Sequence, residues 1–131
     1  MLFYLLIVLV SFCIFMSLRN LFLPNGIKGK FVSFENFLYL GIIYTTILIG
    51  FGLIYLLFSL KGEPLLREVE IVKSNNIFET CFYFSAMTLF SVGHGDVVPQ
   101  GLGRMITVIE ALIGYTLPAA FVARAVFDRE K

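Results

Sequence analysis

Charge is what this chain has least of. Only 15% of its 131 residues are Asp, Glu, Lys or Arg, and together they leave a formal net charge of +1. So little charge excludes an extended basic face, and no nucleic acid is expected as a partner. There is a single histidine, His94, and no nucleophile, base and orienting residue form a recognisable set. No enzyme is expected on that basis. The two cysteines, Cys13 and Cys81, lack metal-ligand spacing, and each sits in an apolar segment that keeps a thiol protonated and unreactive. They read as structural thiols that call for no cofactor.

What fills the chain instead is apolar. Hydrophobic residues make up 59% of the sequence and the mean hydropathy is +0.92, the composition of an integral membrane protein with lipid as its surroundings. Uncharged runs extend from Met1 to Leu18 and from Phe37 to Leu60, and a third runs from Met105 to Ala123, interrupted only by Glu110. Each is a membrane-helix candidate, the second long enough to cross about 30 Å of hydrocarbon with some tilt. The first run has no positive n-region and no Ala-x-Ala-like cleavage site, so a retained helix over 1–23 is expected rather than a signal peptide.

Polar breaks separate the runs. Pro24-Asn25-Gly26 stops the first helix, and Lys28 and Lys30 add to Arg19 in a loop over 24–35. A second polar segment, 61–75, has its basic residues Lys61, Arg67 and Lys73 matched by Glu63, Glu68 and Glu70. By the positive-inside rule, the 24–35 loop and the tail with Arg124, Arg129 and Lys131 are expected on the cytoplasmic side, and the 61–75 loop outside.

Between the second and third runs lies a segment too short to span, rich in aromatics, with Asn76 as an N-cap and Glu79 three residues on to meet early backbone donors. A helix over 76–89 follows, whose C-terminal end near Thr88 carries partial negative charge suited to a nearby cation. It runs into Thr88-Leu89-Phe90-Ser91-Val92-Gly93-His94-Gly95-Asp96. At bilayer depth, irregular backbone survives only where it is buried in protein or lines a water-filled path. Glycines at alternate positions, Gly93 and Gly95, allow successive carbonyl oxygens to point one way, as a stack of cation ligands needs.

The run Ser91-Val92-Gly93-His94-Gly95-Asp96 resembles the Thr-Val-Gly-Tyr-Gly-Asp selectivity filter of potassium channels, with Ser in place of Thr and His in place of Tyr. With the helix before it, and Gly103-Arg104 opening an inner helix after it, the resemblance covers roughly 36–126. It implies an all-α membrane protein with three transmembrane helices plus a re-entrant pore helix and selectivity filter, assembling as a tetrameric ion channel. The pore domain would be 36–126: outer helix 36–60, extracellular loop 61–75, pore helix 76–89, filter 91–96 and inner helix 102–126. The helix over 1–23 is then an addition to a two-helix plan, and 127–131 a short cytoplasmic tail that leaves no room for a ligand-binding domain. No evenly spaced arginines accompany the first helix, so strong voltage sensing is not expected.

The same resemblance assigns roles. Carbonyls of Ser91, Val92, Gly93 and His94 would bind potassium ions, Ser91 adding its hydroxyl, and Gly95 would form the outer mouth. Asp96 would either anchor the filter through a hydrogen bond to the pore helix or attract cations. His94, in the place of a tyrosine that packs behind the filter, alters the support more than the carbonyl line. Glu110, the one ionisable residue inside a span, must face a water-filled cavity or a polar partner behind the filter. Gly114 matches the position of a gating-hinge glycine, and Pro118 one turn later bends the helix; close packing through small residues is the competing reading. Four copies are implied, because one strip cannot enclose an ion and the chain has no internal repeat. The function expected is passive potassium conduction across a prokaryotic plasma membrane, filter mouth outside and C-terminus cytoplasmic. A poorly selective monovalent cation channel and a non-conducting regulatory subunit remain alternatives.

Overall fold

The structure is a computed structural model that describes residues 1–22, 34–68 and 76–127. Most of the expected loop over 24–35, the second half of the 61–75 loop and the tail from 128 lie outside the described residues. So do Lys28, Lys30, Arg129 and Lys131, on which the orientation expectation rests.

Four helices and one short strand pair account for the described chain: α1 Leu2–Phe22, α2 Phe34–Leu60, β1 Leu66–Glu68, α3 Ile77–Leu89, β2 Val97–Pro99 and α4 Gly103–Phe127. Three of the helices are long and apolar enough to cross a membrane, over Leu2–Arg19, Phe37–Leu60 and Gly103–Ala123. At 1.5 Å per residue the shortest of these spans about 27 Å, and the 13-residue α3 only about 20 Å. The chain is therefore an integral membrane protein with a fourth helix that enters the fold without crossing it.

α2 is the central post, packed against α1, α3 and α4. Its buried residues Ile43, Tyr44, Ile47, Phe51, Ile54 and Tyr55 recur at helical spacing along one stripe. In lipid there is no hydrophobic gain from bringing helices together, so association depends on close van der Waals fit, and small residues let backbones approach. Gly50 provides this for α1: a Cβ there would lie 2.6 Å from the Ile14 side chain. Gly52 provides it for α3, where a Cβ would lie 2.9 Å from the Phe82 ring. The start of α1 meets the end of α2, with the Phe3 and Phe58 rings edge to face at 5.4 Å and Lys61 Nζ 4.6 Å over the Phe3 ring.

The short strands are an addition to the expected all-helical plan. β1 and β2 pair antiparallel, Leu66 with Pro99, Arg67 with Val98 and Glu68 with Val97. This ties the segment after α2 to the segment after the glycine-rich strip. The Gln100 N–H donates to the Leu65 carbonyl at 2.7 Å, and the Thr80 hydroxyl donates to the Glu68 carboxylate, so the start of α3 is fastened to the same pair.

Candidate functional site

α3 starts and stops for local reasons. Asn76 is extended (φ −118°, ψ 100°) and its Oδ1 accepts the Phe78 N–H at 3.2 Å, taking one of the donors that a helix start leaves without a partner. Glu79 follows in the first turn and is exposed, at the end of α3 remote from the glycine-rich strip. The helix ends at Leu89, with the Phe90 N–H on the Ala86 carbonyl at 3.0 Å.

The strip then folds back on the helix that precedes it. The Ser91 N–H donates to the Thr88 carbonyl at 3.0 Å, and the Val92 and Gly93 N–H groups share the Met87 carbonyl at 2.9 and 3.2 Å. The amides of 91–93 are thus turned toward α3. Ser91, Gly93 and Gly95 have φ of +56°, +56° and +78°, so left-handed backbone alternates with ordinary backbone along the strip. Glycine adopts this freely; for Ser91 it costs about 1 kcal/mol. Among the described residues, no backbone N–H ends on the carbonyls of 91–95, and Ser91, Val92, Gly93, His94 and Gly95 are all exposed on a single chain. Five consecutive carbonyls are left available to something other than this chain's own backbone.

Both ends of the strip are held. At the far end Asp96 Oδ1 accepts the Val97 N–H at 3.1 Å, and the carboxylate takes a hydrogen bond from the Tyr83 hydroxyl of α3. That bond holds the Tyr83 proton more firmly and raises its pKa above the ordinary tyrosine value. β2 follows at once, paired to β1. At the near end, Phe90 stacks on Tyr44 of α2, with ring centroids 5.6 Å apart and planes 9° off parallel.

Behind α3 lies Glu110, completely buried although it sits on a membrane-spanning helix. Tyr55 donates its hydroxyl to Oε2 at 2.8 Å, and the Ser85 hydroxyl bonds to Oε1. Ser85 Oγ is also 3.0 Å from the Leu48 carbonyl, and Thr107 Oγ1 is 3.1 Å from the Tyr55 oxygen. The carboxyl group therefore joins α2, α3 and α4 through one polar knot, while the exposed face of α4 carries Met105, Val108, Ile109, Leu112 and Tyr115.

Gly114 brings α4 against the end of α3. A Cβ on it would stand 2.2 Å from the Leu89 carbonyl oxygen, and Leu89 itself is fully buried. Pro118 lies inside α4, which continues through it to Phe127. At the start of α4, Gly103 makes a similar approach: a Cβ would lie 2.4 Å from the Leu65 carbonyl oxygen. A cavity of about 710 Å³ opens between α2, α4 and the near end of the strip, bordered by Tyr44, Phe90, Ser91, Gly114 and Pro118.

A family model described as an ion channel matches residues 42–126, the stretch from α2 through the strip to α4. The chain belongs to the ion channel family. Two bacterial relatives extend the comparison. The channel chain is 42% identical over 91 residues to the protein named LctB of Geobacillus stearothermophilus, covering 67% of this chain and 68% of that one. It is 43% identical over 88 residues to the LctB of Bacillus caldotenax, covering 65% and 66%. No solved structure matches. As a member of a channel family, the protein is a conduit and not an enzyme.

Sequence reasoning missed Tyr44, Tyr55 and Ser85. Tyr44 and Tyr55 are eleven residues apart, three helical turns, so their hydroxyls fall on one face of an apolar span where each needs a partner. That was the available signal. Ser85 stands midway along a helix otherwise rich in aromatics.

Proposed function

We propose that four copies of this chain surround a potassium-selective pore whose narrowest part is the carbonyl line of Ser91, Val92, Gly93, His94 and Gly95. The observation that supports this most is the strip itself: left-handed backbone at every second residue, amides turned back onto α3, and carbonyls that take no backbone donor among the described residues. Such a line can replace the hydration shell of a potassium ion, provided that other copies complete the ring. The exposure of Phe90 and Val92 on one chain is consistent with neighbours covering them.

In this reading a potassium ion sheds water as it enters and passes from one ring of carbonyls to the next, driven only by its gradient. Ser91 contributes a hydroxyl at the cavity end. Thr88 ends the pore helix beside the line, Asp96 anchors its outer end through Tyr83, and Glu110 braces α3 from behind. Glu79 supports the far end of the pore helix through its first-turn charge. Gly114 and Pro118 form the flexible part of the inner helix, α4. The channel sits in a prokaryotic plasma membrane with the filter mouth outside and the C-terminus in the cytoplasm, in line with the bacterial origin of both LctB relatives.

Native mass spectrometry of the purified protein, together with potassium efflux from liposomes that contain it, tests the proposal. Four copies with gradient-driven efflux support it. A monomer or dimer without efflux would leave the non-conducting subunit as the better reading.

A further inference from the structure

Proline at position 118 has no N–H, so the carbonyl four residues earlier in α4, that of Gly114, loses its helical donor. At membrane depth another group must take its place. The Tyr44 hydroxyl does: it reaches across from α2 and donates to the Gly114 carbonyl at 2.6 Å. The ring that carries this hydroxyl is buried, and it is the same ring that stacks on Phe90, the residue before Ser91. One side chain therefore holds both the proline notch of α4 and the near end of the strip.

We propose that Tyr44 is a positioning residue that couples the conformation of α4 at Gly114–Pro118 to that of the strip at Phe90–Ser91. This rests on the reading of the strip as the ion path. Any motion of α4 that shifts it at Gly114 carries the Gly114 carbonyl away from the hydroxyl. The Tyr44 ring must then either follow the carbonyl and unstack from Phe90, or stay and leave the carbonyl without a donor.

The chemistry dictates a sharp control. Pro118→Ala restores an N–H at 118, and the Gly114 carbonyl then has a helical donor of its own. Tyr44→Phe, which keeps the stacked ring and removes only the hydroxyl, should matter with Pro118 in place and become nearly silent when combined with Pro118→Ala. The readout is hydrogen–deuterium exchange of the Ser91, Val92 and Gly93 amides in the purified full chain, because those amides bond to Thr88 and Met87 and need no ion flux to be observed. With Pro118, Tyr44→Phe is expected to speed their exchange about 5-fold, and in the Pro118→Ala background less than about 2-fold, the scale set by one net hydrogen bond. Unchanged exchange with Pro118, or equal acceleration in both backgrounds, overturns the proposal. If Tyr44→Phe alone fails to fold, rescue of folded protein by Pro118→Ala supports it, and no rescue counts against it. A wild-type chain that shows this coupling yet passes no potassium would refute the channel reading and leave the coupling intact.

Discussion

The α-carbon of Gly114 stands so close to Leu89 that an added Cβ would lie 2.2 Å from the Leu89 carbonyl oxygen. The contact is with backbone, which cannot rotate aside as a side chain can. In a free helix, Gly→Ala gains roughly 0.5–1 kcal/mol, whereas forcing a methyl group into a closed contact costs about 1–3 kcal/mol. The second effect wins. Gly114→Ala should lower the thermal unfolding midpoint in detergent micelles; a raised midpoint would mean that the glycine is there for bending alone.

Glu110 gives a prediction that depends on proton counting. In Glu110→Gln, the amide NH₂ can face Ser85, whose hydroxyl then turns to donate to the Leu48 carbonyl at 3.0 Å, while Tyr55 still donates to the amide oxygen. Ser85 and Tyr55 keep their bonds and one amide N–H is left over, so the change should cost about 1 kcal/mol. Glu110→Leu removes two hydrogen bonds at once, leaving Tyr55 only Thr107 Oγ1 at 3.1 Å and Ser85 only the Leu48 carbonyl, and should cost about 1–3 kcal/mol by chemical denaturation. Since the buried carboxyl group faces α2 and α3, Glu110→Gln should also leave block by internal cations unchanged. A large loss of block would place the group on the ion path.

Ser91 holds a left-handed backbone that suits glycine better. Ser91→Gly and Ser91→Ala both remove the hydroxyl, but only glycine relieves the strain. The glycine variant should therefore be the more stable of the two by about 1 kcal/mol. Equal stability would mean that residue 91 is not left-handed in solution.

The Tyr83–Asp96 bond carries a pH signature. The folded pKa of Tyr83 lies above its ordinary value, so the stability this bond lends is present below the ordinary tyrosine range, about pH 10, and is lost as pH rises through the folded value. Tyr83→Phe should remove that alkaline step from the pH profile of the unfolding midpoint. An unchanged alkaline profile would show that the bond contributes nothing.

The membrane spans and α3 were legible because hydropathy, length and a polar N-cap act locally: Asn76 sits where the helix begins, and α2 starts at Phe34, two residues before the expected 36. Gly93 and Gly95 announced a departure from helix. What could not be read locally is what crosses the chain. The pairing of Val97 with Glu68, the approach of Gly103 to Leu65 and the meeting of Tyr55, Ser85 and Glu110 join residues far apart in sequence. Glu110 in an otherwise uncharged span demanded a partner, but nothing near it in sequence says which. Ser91 escaped for a different reason: serine carries no sign that its φ is positive.

The central claim is that the carbonyl line of 91–95 passes potassium and discriminates against sodium. Its most direct test is efflux from liposomes holding the purified protein, with matched potassium and sodium gradients and barium as a blocker of potassium-sized sites. Potassium efflux at least about tenfold faster than sodium efflux, a difference of about 1.4 kcal/mol, and abolished by barium is the predicted result. Equal, barium-insensitive rates for the two ions would contradict it.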